Sequence, residues 1–303
     1  MSTTFGELVK EGARLLADGG VDEPYRTAGR LVRELLNVDA VTLAAHPERA
    51  VSDADAELVR RAFHRRADGE PLQYITGRQN FYGRDFQVTR DVLIPRPETE
   101  LLVEVSLEHI RTRPQPVWRL LDLGTGSGCL AVTLAAEIPT AQVVAVDISP
   151  AALAVAAANA RRHGVAERVR LVESHWLDAV PTTPPFDLVV SNPPYVAQTD
   201  WPALQREVRD HEPYVALVGG EQGTEVYAHL LAALPPYLVA GGKFACEVGF
   251  EQAARVCAMG EAAGWWVERV IHDLQGIART VVFTFPQVFS DNHRTWLGQG
   301  NEG

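Results

Sequence analysis

The stretch VWRLLDLGTGSG, residues 117–128, decides the fold class, because an apolar run passes directly into a glycine-rich segment. Further short apolar runs follow, each ending in polar or glycine residues: QVVAVD, RVRLVE, FDLVVSN and GGKFACEVG. Helical patterns lie between most of them, at residues 129–137, 150–163 and 224–238, and two more strand candidates follow at 265–271 and 279–285. Strands that alternate with helices form right-handed crossovers, so the sequence predicts an α/β fold with a doubly wound, mostly parallel sheet.

The part of the chain before this alternation has a different pattern. Apolar residues recur at helical spacing in three runs before residue 72, which predicts a small helical bundle. Gly77 and Gly83 then punctuate short β-like runs, which is typical of a hairpin. The expected organisation is a helical domain at 1–72, a β-hairpin linker at 73–95, an α/β domain at 96–286 and a flexible tail at 287–303.

The charge of the chain favours a protein or a small molecule as its partner. The 303 residues carry a formal net charge of −11, and the sequence pI is about 5.3. Binding to a phosphate backbone depends on Lys and Arg side chains, and an acidic surface opposes it. We therefore expect no stable binding to nucleic acid.

Patterns of secretion, membrane insertion and metal binding are not found in the sequence. The N-terminus lacks a basic segment followed by an apolar one, and no apolar stretch is long enough for a membrane span. The three cysteines lack CxxC spacing, and the nine histidines show no spacing typical of a metal site. The expectation is a cytoplasmic protein, a monomer with reduced thiols and no metal.

The first candidate site is the glycine loop Asp122-Leu123-Gly124-Thr125-Gly126-Ser127-Gly128, between a strand and a helix. Glycines at that position allow the backbone to turn sharply and to approach a ligand closely. A dinucleotide-binding loop needs a sixth-position glycine where this chain has Cys129. A tight structural turn and a nicotinamide site remain alternatives to a nucleoside-containing ligand.

The second candidate is Asp147, which ends the next strand in the run VVAVDIS. A carboxylate at this interval after a glycine loop can accept hydrogen bonds from the two hydroxyls of a ribose. An acidic residue in a strand-end turn can also cap a helix. Asp147 therefore indicates a ribose without specifying the cofactor.

The third candidate, Ser191-Asn192-Pro193-Pro194-Tyr195, follows the fourth parallel strand. Each proline fixes its own φ and restrains the preceding residue to an extended conformation. The Asn192 side-chain oxygen and the Pro193 carbonyl are then two rigid acceptors for the hydrogens of an –NH₂ group, and Tyr195 offers a ring for a planar group. We assign catalytic roles to Asn192, Pro193 and Tyr195.

Such a loop suits the methylation of a planar, amide-like nitrogen. The lone pair of that nitrogen is delocalised, so it is a weak nucleophile that must be held in line with the methyl donor. Acceptors directed at a nitrogen that gains positive charge also stabilise the transition state. A base flipped out of a nucleic acid presents the same planar amine, so the loop alone leaves both substrates open.

Together these motifs resemble the class I S-adenosylmethionine methyltransferases that modify exocyclic or amide nitrogens. More specifically, the chain resembles the bacterial peptide-chain release factor glutamine-N5 methyltransferases of the HemK/PrmC type, from the helical region to about Phe285. Further segments of this family type are GEPLQYITG at 69–77, FYG at 81–83, IPRPETE at 94–100 and residues 273–279. The resemblance implies a seven-stranded methyltransferase (Rossmann-like) sheet with an antiparallel last strand.

The resemblance also implies a reaction: transfer of a methyl group from S-adenosyl-L-methionine, leaving S-adenosyl-L-homocysteine, to the Gly-Gly-Gln glutamine of class I peptide-chain release factors. The residues implied to contact the cofactor are Gly124, Thr125, Gly126, Ser127, Gly128, Asp147, Trp176 and Asn192. Those implied to hold the glutamine amide are Asn192, Pro193, Pro194 and Tyr195. The Arg96–Glu98 stretch would lie over the amino-acid end of the cofactor, and the helical domain would dock the release factor.

The sequence departs from the family pattern at His175. The family often has an aspartate between the serine and the residue placed near the adenine, whereas this chain reads Ser174-His175-Trp176. A neutral imidazole accepts a hydrogen bond less strongly than a carboxylate, so a contact of His175 with the adenine amino group would be weaker. Two rival functions are a nucleic-acid N-methyltransferase and a non-catalytic adaptor that binds a release factor or the ribosome.

Overall fold

The computed structural model of the chain describes residues 3–113 and 115–286. The predicted flexible tail at 287–303 lies outside the described residues. Within them, no helix combines the length and the apolar character that crossing a membrane requires.

The N-terminal helices are α1 (Phe5–Asp18), α2 (Pro24–Leu36), α3 (Ala40–Ala45), α4 (Asp53–Ala67) and α5 (Leu72–Thr76). The side chain of Thr4 caps α1 in a reciprocal pair of hydrogen bonds with Glu7, and Ser52 caps α4. These caps satisfy backbone N–H groups that have no partner inside the helix. The apolar faces of α1, α2 and α4 pack into one core, where the ring of Phe63 lies against Gly12.

The segment between the bundle and the large sheet is a hairpin preceded by a helical turn. Its strands are β1 (Arg78–Phe81) and β2 (Arg84–Gln87), which pair antiparallel. The sequence predicted a hairpin linker from residue 73, but the chain is helical up to Thr76, where the left-handed Gly77 ends α5. Two aromatic residues of the hairpin, Phe81 and Phe86, are buried in the core of the large sheet.

Within the described residues a seven-stranded sheet follows, as predicted. Its strands are β3 (Trp118–Leu123), β4 (Ala141–Asp147), β5 (Val169–Glu173), β6 (Phe186–Ser191), β7 (Leu238–Glu247), β8 (Trp266–His272) and β9 (Ala278–Thr284), in the order β5-β4-β3-β6-β7-β9-β8. The pairs from β5 to β7 are parallel, and β9 is antiparallel to both of its neighbours. The doubly wound, mostly parallel fold is therefore confirmed.

Helices cover both faces of this sheet, because successive residues of each strand point to opposite sides. The helices of this part of the chain are α6 (Glu100–Thr112), α7 (Cys129–Glu137), α8 (Pro150–Arg162), α9 (Arg206–His211), α10 (Glu225–Ala233) and α11 (Ala253–Ala262). The short α9 lies in the connection from β6 to β7 and has no buried residue. Leu120 packs in a core with α6 and α7, whereas its neighbour Leu121 packs in the opposite core with α10 and α11.

The predicted helix at 224–238 is shorter in the structure, where α10 ends at Ala233. Pro235 and Pro236 have no N–H to continue a helix, so Pro235–Tyr237 forms a 3₁₀ turn and β7 begins at Leu238. The adjacent tryptophans Trp265 and Trp266 differ in burial. Trp265 is buried and donates its indole N–H to the Leu231 carbonyl, whereas Trp266 is exposed at the edge strand β8.

His109, on α6, is buried against Trp118 and couples the stability of the fold to pH. Burial, aided by the charges of Lys243 and Arg113, lowers the pKa of His109 to about 4. Between that value and the ordinary histidine pKa of about 6.5, the unfolded chain therefore binds more protons than the folded one.

We expect the free energy of unfolding of the wild-type protein to fall as the pH is lowered from 6.5 to 4, in part through His109. A His109→Gln variant lacks this contribution, so its free energy of unfolding should change less steeply between pH 6.5 and pH 4. Denaturant unfolding at several pH values measures it. The exposed His46→Gln is the control, which should keep the wild-type slope. Equal slopes in the wild type and His109→Gln contradict the assignment.

Candidate active site

The carboxyl ends of the parallel strands meet at one edge of the sheet and carry the candidate residues. Gly124 follows β3, Asp147 ends β4, and Asn192 follows β6. Trp176 lies three residues beyond β5, and Glu247 ends β7. The strands β4 and β6 lie on opposite sides of β3, so the connections that leave β3 and β6 diverge and open a crevice at this edge. Doubly wound sheets bind ligands in such a crevice.

A cavity of about 270 Å³ occupies this crevice. Its lining includes six of the residues predicted from the sequence: Gly124, Gly126, Asp147, Trp176, Asn192 and Pro194. Thr125, Ser127, Gly128 and Pro193, also predicted, do not line this cavity. Their direct contact with a ligand stays a prediction.

The glycine loop is held by hydrogen bonds that leave its outer surface to the cavity. The backbone N–H groups of Gly124 and Thr125 both donate to the Val146 carbonyl, at 2.9 and 2.8 Å. Gly124, Gly126 and Gly128 have φ values of 74°, 53° and 79°, in the left-handed region that favours glycine. This local geometry explains why the motif consists of alternating glycines.

A buried carboxyl group, Asp122, supports the loop from below. Its Oδ2 accepts hydrogen bonds from the Thr125 hydroxyl at 2.6 Å and from the Ala131 N–H at 3.2 Å. Its Oδ1 has no hydrogen-bond partner among the described residues. Burial raises the pKa of Asp122 to about 7, against the effect of these two hydrogen bonds. The group therefore retains an unused polar atom beside the candidate binding loop.

Asp147 lies between two loops and faces the cavity. One carboxylate oxygen accepts from the Gly126 N–H at 2.8 Å, and the other accepts from the Ser149 N–H at 2.9 Å. A carboxylate has about four acceptor positions, so both oxygens can still receive a hydroxyl. Ser149, rather than Asp147, caps α8 with its side chain. The geometry favours the ligand-binding interpretation of Asp147 over the helix-cap alternative.

Trp176 and His175 form the wall beyond β5. Trp176 has a φ of 51°, which is uncommon outside glycine, and its ring edge lies 3.8 Å from the position that a Cβ on Gly124 would take. His175 also lines the cavity, and its Nδ1 is 3.6 Å from the carboxylate of Asp178. Asp178 is thus three residues beyond the position where the family often has an aspartate.

The NPPY loop separates this cavity from a smaller one of about 170 Å³. Asn192 lines both, whereas Tyr195 and Arg96 line only the smaller. Arg96 is held there by an ion pair with the buried Glu212, at 2.5 Å. A group in the smaller cavity and a group in the larger one can therefore meet at Asn192.

Tyr195 is suited to packing and not to proton abstraction. Burial and the nearby Glu247 raise the pKa of its phenol above its ordinary value. A general base needs a pKa near the operating pH, so Tyr195 remains a neutral phenol. The supply of a ring surface for a planar group stays the predicted role of Tyr195.

Three glycines that the sequence analysis did not select pack against the NPPY loop. A Cβ on Gly219 would lie 2.2 Å from the Pro194 carbonyl oxygen, and one on Gly223 would lie 2.3 Å from that of Tyr195. Gly249 lies against the Tyr195 ring, and the Gln252 amide donates to the Tyr195 carbonyl at 2.8 Å. The density of glycines in VGGEQG, residues 218–223, was the available signal of a close backbone approach.

Other contributors to the site were also missed from the sequence. Residues 91–93 of the linker and several residues between 213 and 226 complete the wall of the larger cavity. Asn159 of α8 joins the glycine loop to the hairpin, since its side chain bonds to the Ser127 carbonyl and to both backbone groups of Gln87. These residues follow no motif, so only the folded chain brings them to the site.

Family models match two parts of the chain: the PrmC N-terminal domain at residues 7–77 and the methyltransferase small domain at residues 98–210. The release factor glutamine methyltransferase of Koribacter versatilis is 44% identical over 260 residues, which cover 86% of this chain and 90% of that protein. The protein of the same name from Cereibacter sphaeroides is 43% identical over a region that covers 89% of this chain and 95% of that protein. A bifunctional methyltransferase of Rickettsia typhi is 33% identical but is covered over only 54% of its length.

Solved structures share the fold at low sequence identity. A methyltransferase from Pyrococcus furiosus has a TM-score of 0.50 at 20% identity, over 68% of this chain and 91% of that one. The human Mettl16 catalytic domain has a TM-score of 0.54 at 16% identity, over 78% of this chain and 84% of that one. Sheet, glycine loop and strand-end crevice together define a Rossmann-like methyltransferase. The extent and identity of the curated relatives narrow this class further, and the chain belongs to the release factor glutamine methyltransferase family.

Replacing Gly219 with alanine tests the support of the NPPY loop. Because the new methyl group would meet a backbone oxygen, the loop must shift, and we expect methyl transfer to slow by about tenfold or more. The free energy of unfolding should fall by about 1–3 kcal/mol. Thermal unfolding and initial rates measure the two effects.

Gly29→Ala is the matched control, because Gly29 lies in α2 and a Cβ there would meet only the Leu43 side chain, at an ordinary contact distance of 3.9 Å. It should keep the wild-type rate and gain slightly in stability. Equal rates in the two variants would show that the close approach of Gly219 is unimportant.

Proposed function

We propose that this protein transfers a methyl group from S-adenosylmethionine to the side-chain nitrogen N5 of the glutamine in the Gly-Gly-Gln motif of class I peptide-chain release factors. The observation that carries the proposal is the position of Asn192, which lines both the larger and the smaller cavity. Relatives named for this reaction match most of the chain at 43–44% identity.

The residues that line the larger cavity fit the cofactor in their chemistry. Gly124 and Gly126 bring backbone to its surface, Asp147 offers acceptors for ribose hydroxyls, and Trp176 offers a ring for the adenine. The unpaired Oδ1 of Asp122 and the buried, unpaired hydroxyl of Ser127 lie around the same loop, within the part of the chain that the structure describes. When bound, S-adenosylmethionine supplies an electrophilic methyl group on a sulfonium.

The NPPY loop then holds the glutamine amide. Its hydrogens are accepted by the Asn192 Oδ1 and the Pro193 carbonyl, while the ring of Tyr195 supports the amide plane. The methyl group would pass from the sulfonium to this nitrogen and leave a neutral thioether, and the two acceptors, Asn192 and Pro193, would stabilise the positive charge that the nitrogen gains. Since the methylated nitrogen becomes strongly acidic, its extra proton can leave to water, and no general base is required.

The helical bundle is the proposed docking surface for the release factor. It has its own core, and exposed apolar side chains such as Tyr25 and Val41 remain on its surface. We keep the division into a docking domain at 1–72, a linker at 73–95 and a methyltransferase domain at 96–286. Action as a monomer in the cytoplasm, without stable binding to nucleic acid, completes the proposal.

The decisive experiment is transfer of labelled methyl from S-adenosylmethionine to a purified release factor. We expect label on the wild-type factor and none on a factor whose Gly-Gly-Gln glutamine is replaced by alanine. The modified residue is identified by mass spectrometry. Label on DNA or ribosomal RNA instead would refute the release-factor assignment, and failure to bind S-adenosylmethionine in calorimetry would support a non-catalytic adaptor.

Asn192→Ala tests the mechanism. It removes one of the two acceptors directed at the reacting amide, and we expect kcat to fall by about a hundredfold or more. Asn80→Ala is the control, because Asn80 lies on the exposed side of the hairpin and bonds only to Asp85 among the described residues. Substantial activity in Asn192→Ala would mean that this side chain does not orient the amide.

A further inference from the structure

Three polar side chains from separate segments form one hydrogen-bonded chain at the site. Asn192 follows β6, Thr99 lies in the 3₁₀ turn Pro97–Thr99 before α6, and Glu247 ends β7. The Asn192 Nδ2 donates to the Thr99 Oγ1 at 3.0 Å, and the Thr99 hydroxyl donates to the Glu247 Oε2 at 2.6 Å. This series of hydrogen bonds thus runs from the NPPY loop into the protein interior.

Thr99 and Glu247 are both only 2% exposed. Burial of a carboxyl group is costly unless hydrogen bonds compensate for lost water, and Glu247 obtains one from Thr99. Neither residue lines the larger or the smaller cavity. Their shared contact with the reacting loop is therefore made through Asn192.

The order of donors and acceptors fixes the orientation of the Asn192 amide. An ionised carboxylate can only accept, so the single hydrogen of the Thr99 hydroxyl is directed at Glu247. The Thr99 oxygen is then left as an acceptor, and Asn192 must turn its –NH₂ group toward it. The Asn192 Oδ1 consequently points away from Thr99 and is available to a ligand.

We propose that Thr99 and Glu247 are positioning residues that hold the Asn192 amide with its oxygen toward the substrate. The inference rests on the proposed function, in which that oxygen accepts a hydrogen from the glutamine amide. The opposite orientation would set the –NH₂ of Asn192 against the –NH₂ of the substrate. Two donors facing each other cannot bond, so the substrate nitrogen would lose its alignment with the methyl group.

Protonation of Glu247 removes this constraint. A protonated carboxyl can donate to the Thr99 oxygen, which frees the Thr99 hydroxyl to donate to an inverted Asn192. Burial raises the pKa of Glu247 to about 7, with Thr99 opposing the shift. Further groups that face it are Glu98, Arg96, Arg279, Tyr195 and Tyr227. Of these, Glu98 raises the pKa, and the two arginines lower it. The correct orientation is therefore enforced above about pH 7.

The first test compares Thr99→Val with Thr99→Ser. Valine keeps the shape but removes the hydroxyl, so we expect kcat to fall by about ten- to a hundredfold, with a much smaller change in the affinity for S-adenosylmethionine. Serine restores the hydroxyl and should recover most of kcat. Thr133→Val is the matched control, because Thr133 is fully buried on α7 and its hydroxyl has no partner among the described residues.

The second test is the pH dependence of kcat for the wild type and Glu247→Gln. The wild-type rate should rise with pH through a midpoint near 7, as Glu247 loses its proton. The glutamine variant cannot ionise, so its rate should be lower and should lack this rise. A midpoint that persists in Glu247→Gln would assign the titration to another group, such as Asp122, and would overturn the role of Glu247.

The outcomes separate this inference from the proposed function. Transfer to the release factor by the wild type, with undiminished kcat in Thr99→Val, overturns the positioning role alone. No transfer by the wild type overturns the proposed function and this inference with it. Loss of activity in Thr99→Val with recovery in Thr99→Ser, at an unchanged unfolding temperature, supports the positioning role.

Discussion

The parallel pairing of β3 with β4 and β6, and of β6 with β7, is the constraint on which the site depends. Parallel strands present their carboxyl ends at the same edge of the sheet, whatever their separation along the chain. Gly124 and Glu247 therefore both lie at this edge, since Gly124 follows β3 and Glu247 ends β7, the strands on either side of β6. Because the sheet already brings these loops together, the local conformation of each loop is enough to complete a binding site.

Buried polar groups then determine how precisely that site is held. Asp122 supports the glycine loop through Thr125, and Glu247 reaches the NPPY loop through Thr99. Each of these carboxyl groups has a raised pKa because burial opposes its charge. Such groups lower the stability that a purely apolar core would give, and a structural role in orienting neighbouring backbone or side chains is a physical reason to retain them.

The linker at 73–95 is also part of the binding site. Its hairpin buries Phe81 and Phe86 in the core beside α6 and α7, and Asn159 ties Gln87 to the glycine loop. Residues 91–93 reach the cavity itself. A segment that looks like a connection in the sequence thus contributes cavity walls and hydrogen bonds to the site.

The sequence by itself determined the sheet, its alternation with helices and the three strand-end motifs, because hydrophobic periodicity and the special backbone of glycine and proline are local properties. It put Gly124, Asp147 and Asn192 each at the end of a predicted strand, and the parallel sheet brings those ends to one edge. It did not identify Thr99 or Glu247 as partners of Asn192, nor Gly219 beneath Pro194. Those contacts join segments far apart in the chain, and only tertiary packing decides which polar side chain meets which.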